Sequence, residues 1–351
     1  MMTNDPTYYR PVAPPQIIEN AYTQDQYERL LGVVRENGPW TLILSQHFKS
    51  PDEVIATGSG MIPEGFKPTW EMFLNPVFRG NLAKGHTVLH TEIEDCFYNE
   101  KFLDLARNYW GAKFARPESM LFNIQGPTQS AEAPHLDATR YRGISMNNSP
   151  IWLMNMMTKT RLFNDWRQKK AQVIAWYYKG TIGGGFTYWP DGPQAAPAQI
   201  NAPMWGRAVV VENEMLFHTA QSNGPSAMRK PQGLTIDSVM GPDPDSPGGW
   251  RITTDGKIIQ KIPEEEFRLL IHWGCEVFMD EKELELTLDH TDDLTHDQVF
   301  DMIVADLRAR GETFEMPSDP LTDQKFIGLM TRVYDPGKPA QFPPEPEELA
   351  A

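Results

Sequence analysis

Between residues 117 and 240 the chain is cut into short apolar or alternating runs, among them ESMLFNIQG, AQVIAWYYKG, GGGFTYWP, GRAVVVENE, MLFHTAQSNG and GLTIDSVMG, each closed by Gly, Pro or a polar turn residue. Runs this short, rich in β-branched and aromatic residues and closely spaced by turn signals, predict a β-sandwich or barrel. The expected class is mainly β with flanking helices. After Pro150 a helical insertion, IWLMNMMTKTRLFNDWRQKK, occupies about 150–170. Its Met154, Met156 and Met157 suit a packing helix better than a lid over a site.

The flanks read differently. With 351 residues, 40% of them apolar and 11% aromatic, the chain has enough material for one large domain with appendages. Residues 1–20 are Pro-rich and polar, an extended arm; 21–116 form an N-terminal α/β portion packing on the core. There, Thr23 and Gln26 make a capping box, Tyr27, Leu30, Leu31 and Val34 share a helical face, and Gly38 is a stop. TLILSQHF has strand character, and Asn99 to Trp110 is a helix ended by Gly111. The span 241–335 is acidic and helical, with a second capping box at Thr295 and Gln298 and a terminator at Gly311; 336–351 is a Pro-rich tail.

Charge and composition exclude several functions. The formal charge is −15 and no Lys/Arg run exists to neutralise a phosphate backbone, so nucleic acid is not an expected partner. No stretch approaches the roughly 20 apolar residues that span a bilayer, and MMTNDPTYYRPVAPP lacks the regions of a signal peptide; the expected location is cytoplasmic, without a membrane partner. Cys96 and Cys275 stand far apart in unrelated contexts, which suggests neither a disulfide framework nor a thiolate zinc site. A metal in this chain has to use histidine and carboxylate.

In AEAPHLDATRYRG, His135 and Asp137 are two residues apart, and the strand period of two points both side chains to one face. His218, in MLFHTAQSNG, lies on another strand of the same β region and supplies a third donor. Two histidines and one carboxylate on one face leave coordination positions open, the arrangement used by non-haem Fe(II) oxygenases. A second His-x-Asp, His290 to Asp292, sits in an acidic stretch with no following strand to offer a partner histidine, and is set aside. His86 and His90 lie in the alternating run GHTVLHTEI, where residues four apart are too distant to share one metal.

With these motifs in this order, the chain resembles the Fe(II)/2-oxoglutarate-dependent oxygenase superfamily over about 117–240. HLDATRYRG looks like its HxD strand, GGGFTYWPDG like its glycine turn into a strand, and WGRAVVVENEMLFHTAQSNG like the pair carrying the distal histidine. The resemblance implies a double-stranded β-helix core of jelly-roll or cupin-like type with N- and C-terminal helical additions. It implies Fe(II) held by His135, Asp137 and His218, with 2-oxoglutarate as co-substrate and O2 as oxidant. It further implies that Arg229, eleven residues after His218, grips the far carboxylate of 2-oxoglutarate, with Thr235 as a helping hydroxyl. Pro231 stands where many members carry Ser or Thr, so Lys230, Arg207 and Arg142 remain alternative anchors. The implied reaction oxidises a C–H bond of a small metabolite, by hydroxylation, desaturation or ring closure, and releases succinate and CO2.

Other residues are pocket candidates. Asn123 and Gln125 share a face just before the metal strand, Trp176 and Tyr178 share another, as do Phe186 and Tyr188, and Arg140 and Arg142 could reach an anionic substrate. For the aromatics, burial in the core is the commoner role. GTIGGG lacks the lysine and context of a phosphate loop and reads as a turn. Two other functions fit the same ligands less fully: a 2-oxoglutarate-independent metal oxidase or cupin-type isomerase, and a non-catalytic β-barrel binding protein with structural histidines.

Overall fold

The computed structural model describes residues 8–58, 67–129 and 133–346. After β1 (Gln16–Ile18), helix α1 (Gln24–Glu36) opens on the expected capping box: Gln26 N–H donates to Thr23 Oγ1 and Thr23 N–H to Gln26 Oε1. Tyr27, Leu30, Val33 and Val34 are its buried stripe. TLILSQHF does not stay extended. It leaves β2 (Trp40–Leu42) for helix α2 (Ile43–His47), because Ser45 Oγ donates to Leu42 O and Gln46 Nε2 to Thr41 Oγ1, local bonds that favour a turn. Helix α3 (Pro51–Thr57) follows.

β3 (Val77–Lys84) and β4 (Thr87–Val88) pair as a short hairpin, so the alternating run at 85–93 contributes only two strand residues. Beyond α4 (Glu94–Phe97), α5 (Glu100–Trp110) has Asn99 as its cap and Gly111, at φ 64°, as its end, as expected. The β region then carries β5 (Phe114–Gln125), helix α6 (Ile151–Thr160), β6 (Lys170–Tyr178), β7 (Phe186–Trp189), β8 (Ala198–Ile200), β9 (Met204–Val211) and β10 (Phe217–Ala220). No strand begins near Gly233; β11 (Val239–Pro242) starts later, and β12 (Trp250–Thr254), β13 (Lys257–Ile262) and β14 (Arg268–Phe278) occupy the first part of the span expected to be helical. Helices α7 (Glu281–Asp289), α8 (His296–Ala309) and α9 (Gln324–Tyr334) come after them, α8 with the expected box at Thr295 and Gln298.

Two antiparallel sheets result. The larger has the order β1-β9-β6-β14-β5-β3-β2-β11-β12-β13, with β4 beside β3; the smaller has the order β10-β7-β8. The segment through His135 extends the smaller sheet past β10. Consecutive stretches alternate between sheets: β5 large, the His135 segment small, β6 large, β7 and β8 small, β9 large, β10 small, β14 large. This is the winding of a double-stranded β-helix, a jelly roll. Its last strand, β14, lies beyond residue 240 yet fills the slot between β5 and β6. RLLIHWGCEVF is largely buried, without the clean alternation that marks a half-exposed strand.

The insertion α6 is a packing helix. Trp152 to Thr160 are all buried, the helix packing on α3 and α9, and Asn155 Nδ2 donates to the Leu136 carbonyl, between the two residues of the His-x-Asp pair. Cys96 and Cys275 are free and buried. Among the described residues no helix is long and apolar enough to cross a membrane.

The chain leaves the ligand segment through Gly143, at φ 85°, where a Cβ would overlap the backbone N and O of Leu294; Leu294 N–H donates to Arg142 O at 3.0 Å in the same crossing. Left-handed strain and backbone overlap act together, so Gly143→Ala is expected to cost about 2–4 kcal/mol. Urea denaturation of the metal-free variant checks this, and a loss below about 0.5 kcal/mol, the level of an ordinary surface change, would contradict the packing described.

Candidate metal centre

His135 and His218 form a reciprocal backbone pair, each N–H donating to the other's carbonyl at 3.1 Å. Directly opposed residues of an antiparallel pair project to the same face, and here the imidazole centroids are 4.6 Å apart. Asp137 follows one pleat later, its N–H bonded to Asn213 O at 3.2 Å. His135 Nε2 and His218 Nε2 each lie 3.6 Å from Asp137 Oδ1, and the three donor atoms fall within 4.8 Å of one another.

The donors fit a metal. His135 Nδ1 faces Ala133 O at 3.0 Å and His218 Nδ1 faces Leu216 O at 2.9 Å. With Nδ1–H spent on a carbonyl, each ring presents the Nε2 lone pair to the common point, the usual support of a metal-bound histidine. Spacings of 3.6 Å are a little wider than the roughly 3 Å edge set by ~2.1 Å metal–ligand bonds, so a small inward movement closes the face. Asn213 Nδ2 donates to Asp137 Oδ2 at 3.2 Å. Burial alone would raise the Asp137 carboxyl, but His218, His135 and His272 around it hold it well below the usual carboxylate range, the form that binds metal. Among the described residues no other group of His, Cys, Asp and Glu has metal-site geometry. Exposed His290 pairs with Asp293, and His86 with Pro117 O.

The centre opens on a cavity of about 1090 Å³. His135, Asp137, His47 and Arg79 line it together with apolar side chains of the α2–α3 region such as Ile43, Phe48 and Val54. The cavity continues around the edge of the smaller sheet to Thr187 and Thr219, whose side chains alternate with the ligand face, and to the C-terminal segment 342–346.

The remaining sequence candidates divide. Asn123 comes to the site through Arg79, whose Nε donates to Asn123 Oδ1 at 2.8 Å. Gln125 is buried and donates to Asn223 Oδ1. Trp176 and Tyr178 are core, packed with Phe186 between the sheets and away from the cavity lining, Tyr178 Oη donating to Glu266. Arg142 is turned to Asp292, at 2.7 Å, and Arg140 to Glu118, at 2.8 Å, so neither meets the cavity. Thr235 is exposed and off the lining. Arg229 is on the lining, in a loop after a 3-10 turn, and donates from Nε to Gly224 O and from Nη2 to Pro346 O. Sequence reading missed Asn213, His47, Arg79 and His272. The last three come from strands and helices outside 117–240, and no local motif marks them.

No protein-family model matches the chain, and no curated protein sequence matches it. Among solved structures, it is similar to a 2OG-Fe(II) oxygenase family oxidoreductase from Burkholderia pseudomallei, at 10% identity over 75% of this chain and 85% of that one, TM-score 0.38. It is similar to HygX from Streptomyces hygroscopicus with nickel, 2-oxoglutarate and hygromycin B bound, at 8% identity, 76% and 84% coverage, TM-score 0.36. A prolyl hydroxylase from Trichoplax adhaerens in complex with a hypoxia inducible factor peptide gives 10% identity, 78% and 86% coverage, TM-score 0.35.

Behind the centre, burial pushes the Glu214 carboxyl up to about 7, against Lys170 and a hydrogen bond from Gln172, with Asp137 adding to the rise. A carboxyl raised in the folded state keeps its proton while the unfolded chain gives one up. Its contribution is therefore complete below the unfolded value near 4.5 and is lost as pH climbs to about 7. Glu214→Gln keeps the acceptor for Gln172 and removes this loss, so the metal-free variant should gain on the order of 3 kcal/mol over wild type at pH 8 and little at pH 4.5. Thermal melts at both pH values test it; an equal effect at the two would contradict the titration.

Proposed function

We infer that the chain is a non-haem Fe(II)- and 2-oxoglutarate-dependent oxygenase that oxidises a C–H bond of a small metabolite. The observation that carries this is the reciprocal His135–His218 pair with Asp137 one pleat along, which gathers two imidazoles and a carboxylate on one face at the mouth of a large, partly apolar cavity. When bound, Fe(II) and 2-oxoglutarate supply the oxidising power: substrate, O2 and 2-oxoglutarate become hydroxylated substrate, succinate and CO2. The protein's own part is positional. The Ala133 and Leu216 carbonyls fix the ring orientations, Asn213 fixes the carboxylate, and Ile43, Phe48 and Val54 give the substrate a dry wall. The acidic chain and the absence of a basic stripe favour a small molecule over nucleic acid.

One observation favours a second reading, a 2-oxoglutarate-independent metal oxidase or isomerase with the same ligands: the expected anchor Arg229 spends two donors on backbone carbonyls. Anaerobic titration separates the two. Protein loaded with Fe(II) is expected to develop the visible charge-transfer absorption of a chelated 2-oxo acid on addition of 2-oxoglutarate. His135→Ala and Asp137→Ala should each lower iron affinity by at least about tenfold and abolish that absorption. Iron binding without the absorption in wild type would transfer the assignment to the second reading, and no iron affinity at all would leave a binding protein.

A further inference from the structure

We propose that Gln172, on β6, is a positioning residue that acts through Asn213 to hold Asp137 to the metal by one oxygen, which keeps a coordination position open. The inference rests on the metal centre and not on the choice of co-substrate. A carboxylate can bind a metal through one of its oxygens or through both. In Asp137 the two oxygens have different surroundings. Oδ1 is turned to the imidazoles, 3.6 Å from each Nε2. Oδ2 accepts a hydrogen bond from Asn213 Nδ2 at 3.2 Å, and the same Nδ2 lies 3.4 Å from His218 Nε2. An oxygen committed to an amide donor is the poorer metal ligand, so Asp137 offers Oδ1 alone.

A buried turn aims the Asn213 amide. β9 returns to β10 through Glu212, Asn213 and Glu214, none of them more than 2% exposed. Three consecutive buried polar residues are a costly way to build a turn, and apolar side chains would fill the space more cheaply. Each has its own partner. Glu212 takes Arg167 Nη1 at 2.6 Å and the Val12 N–H at 2.8 Å, Asn213 takes Asp137, and Glu214 takes Gln172 Nε2 at 2.7 Å. Asn213 Oδ1 and Glu214 Oε2 are buried with no hydrogen-bond partner among the described residues, so the turn is not arranged merely to satisfy itself.

Gln172 locks that turn from the neighbouring strand. It begins the row Gln172, Ile174, Trp176 and Tyr178 on one face of β6, of which the last three pack between the sheets. At Gln172, opposite Val211, the row reaches the end of β9 and the turn, and there an amide replaces hydrocarbon. Its Oε1 accepts the Asn213 N–H at 3.0 Å while its Nε2 donates to Glu214 Oε1, so one side chain clamps Asn213 and its successor. Asn213 O in turn accepts the Asp137 N–H at 3.2 Å. A shift of the turn therefore moves the amide donor and the backbone acceptor of Asp137 together, and Gln172 is the group that opposes the shift.

The test counts the exchangeable waters on Mn(II) bound in place of iron, from the broadening of its electron paramagnetic resonance lines in water enriched in a magnetic oxygen isotope. Wild type, Asn213→Ala, Gln172→Leu, Gln172→Glu and the Asn213→Ala/Gln172→Leu double variant are compared, with Fe(II) affinity and melting temperature recorded for each. Asn213→Ala should carry one water fewer than wild type, its place taken by the second carboxylate oxygen. Gln172→Leu should show the same loss. Gln172→Glu should keep the wild-type count, because a carboxyl there still accepts the Asn213 N–H in either protonation state. The double variant should lose no more than either single one, as expected of a residue that acts through the other. Where a variant holds Mn(II) too weakly to count, Fe(II) affinity decides: a fall of at least about tenfold that Gln172→Glu recovers supports the inference, and one that it does not recover overturns it. An unchanged water count in Gln172→Leu, even with a lower melting temperature, makes Gln172 a packing residue only and overturns the inference while the metal centre stands. Failure of wild type to bind either Mn(II) or Fe(II) removes the centre and the inference with it. Should Gln172→Leu not fold, Gln172→Met, of closer shape, is judged on the same criterion.

Discussion

A single antiparallel step, the two backbone hydrogen bonds exchanged by His135 and His218, organises everything else at this centre. It closes the small sheet onto the segment that enters from β5, and it fixes the register between two strands more than eighty residues apart in sequence. A slip of one residue would send every side chain of one strand to the other face and separate His135 and Asp137 from His218. The surroundings defend that register. Asn155 on α6 takes the carbonyl of Leu136, Asn213 takes the N–H and carboxylate of Asp137, and Thr128 and Asn223 exchange a further backbone pair upstream.

The interior around the centre carries several buried ion pairs. Glu118 is bonded to Arg140 and Lys170, Glu276 to Arg116 and Arg140, and Glu212 to Arg167, all with the carboxylate largely or wholly buried. Such pairs are weak sources of stability, but breaking one is costly because the survivor is left charged and dry. They set the background in which Asp137 keeps its charge while burial pushes the Glu214 carboxyl up to about 7.

The elements that local chemistry dictates were readable. Capping boxes at Thr23 and Thr295, the Asn99 cap and the Gly111 stop recur in the structure because each needs only neighbours within one helical turn. The His135–Asp137 spacing was readable for the same reason, since a strand places alternate residues on one face whatever its partner. TLILSQHF misled because short side-chain bonds from Ser45 and Gln46 outweigh its β-propensity. β14 was missed because its largely buried run carries no clean alternation, and a long excursion through β11, β12 and β13 separates it from β10.

Sequence by itself thus determined the β character, the capped ends of α1, α5 and α8, and the placing of His135 and Asp137 on one face, all of which depend on short-range periodicity and capping. Only the tertiary structure decided that His218 faces His135, that Trp176, Tyr178 and Arg142 belong to packing and ion pairs, and that Arg79, His47 and His272 surround the centre. These are non-local facts. They follow from which strands become neighbours when the sheets wind, and that choice is made by burial summed over the whole core, a quantity that no local pattern contains.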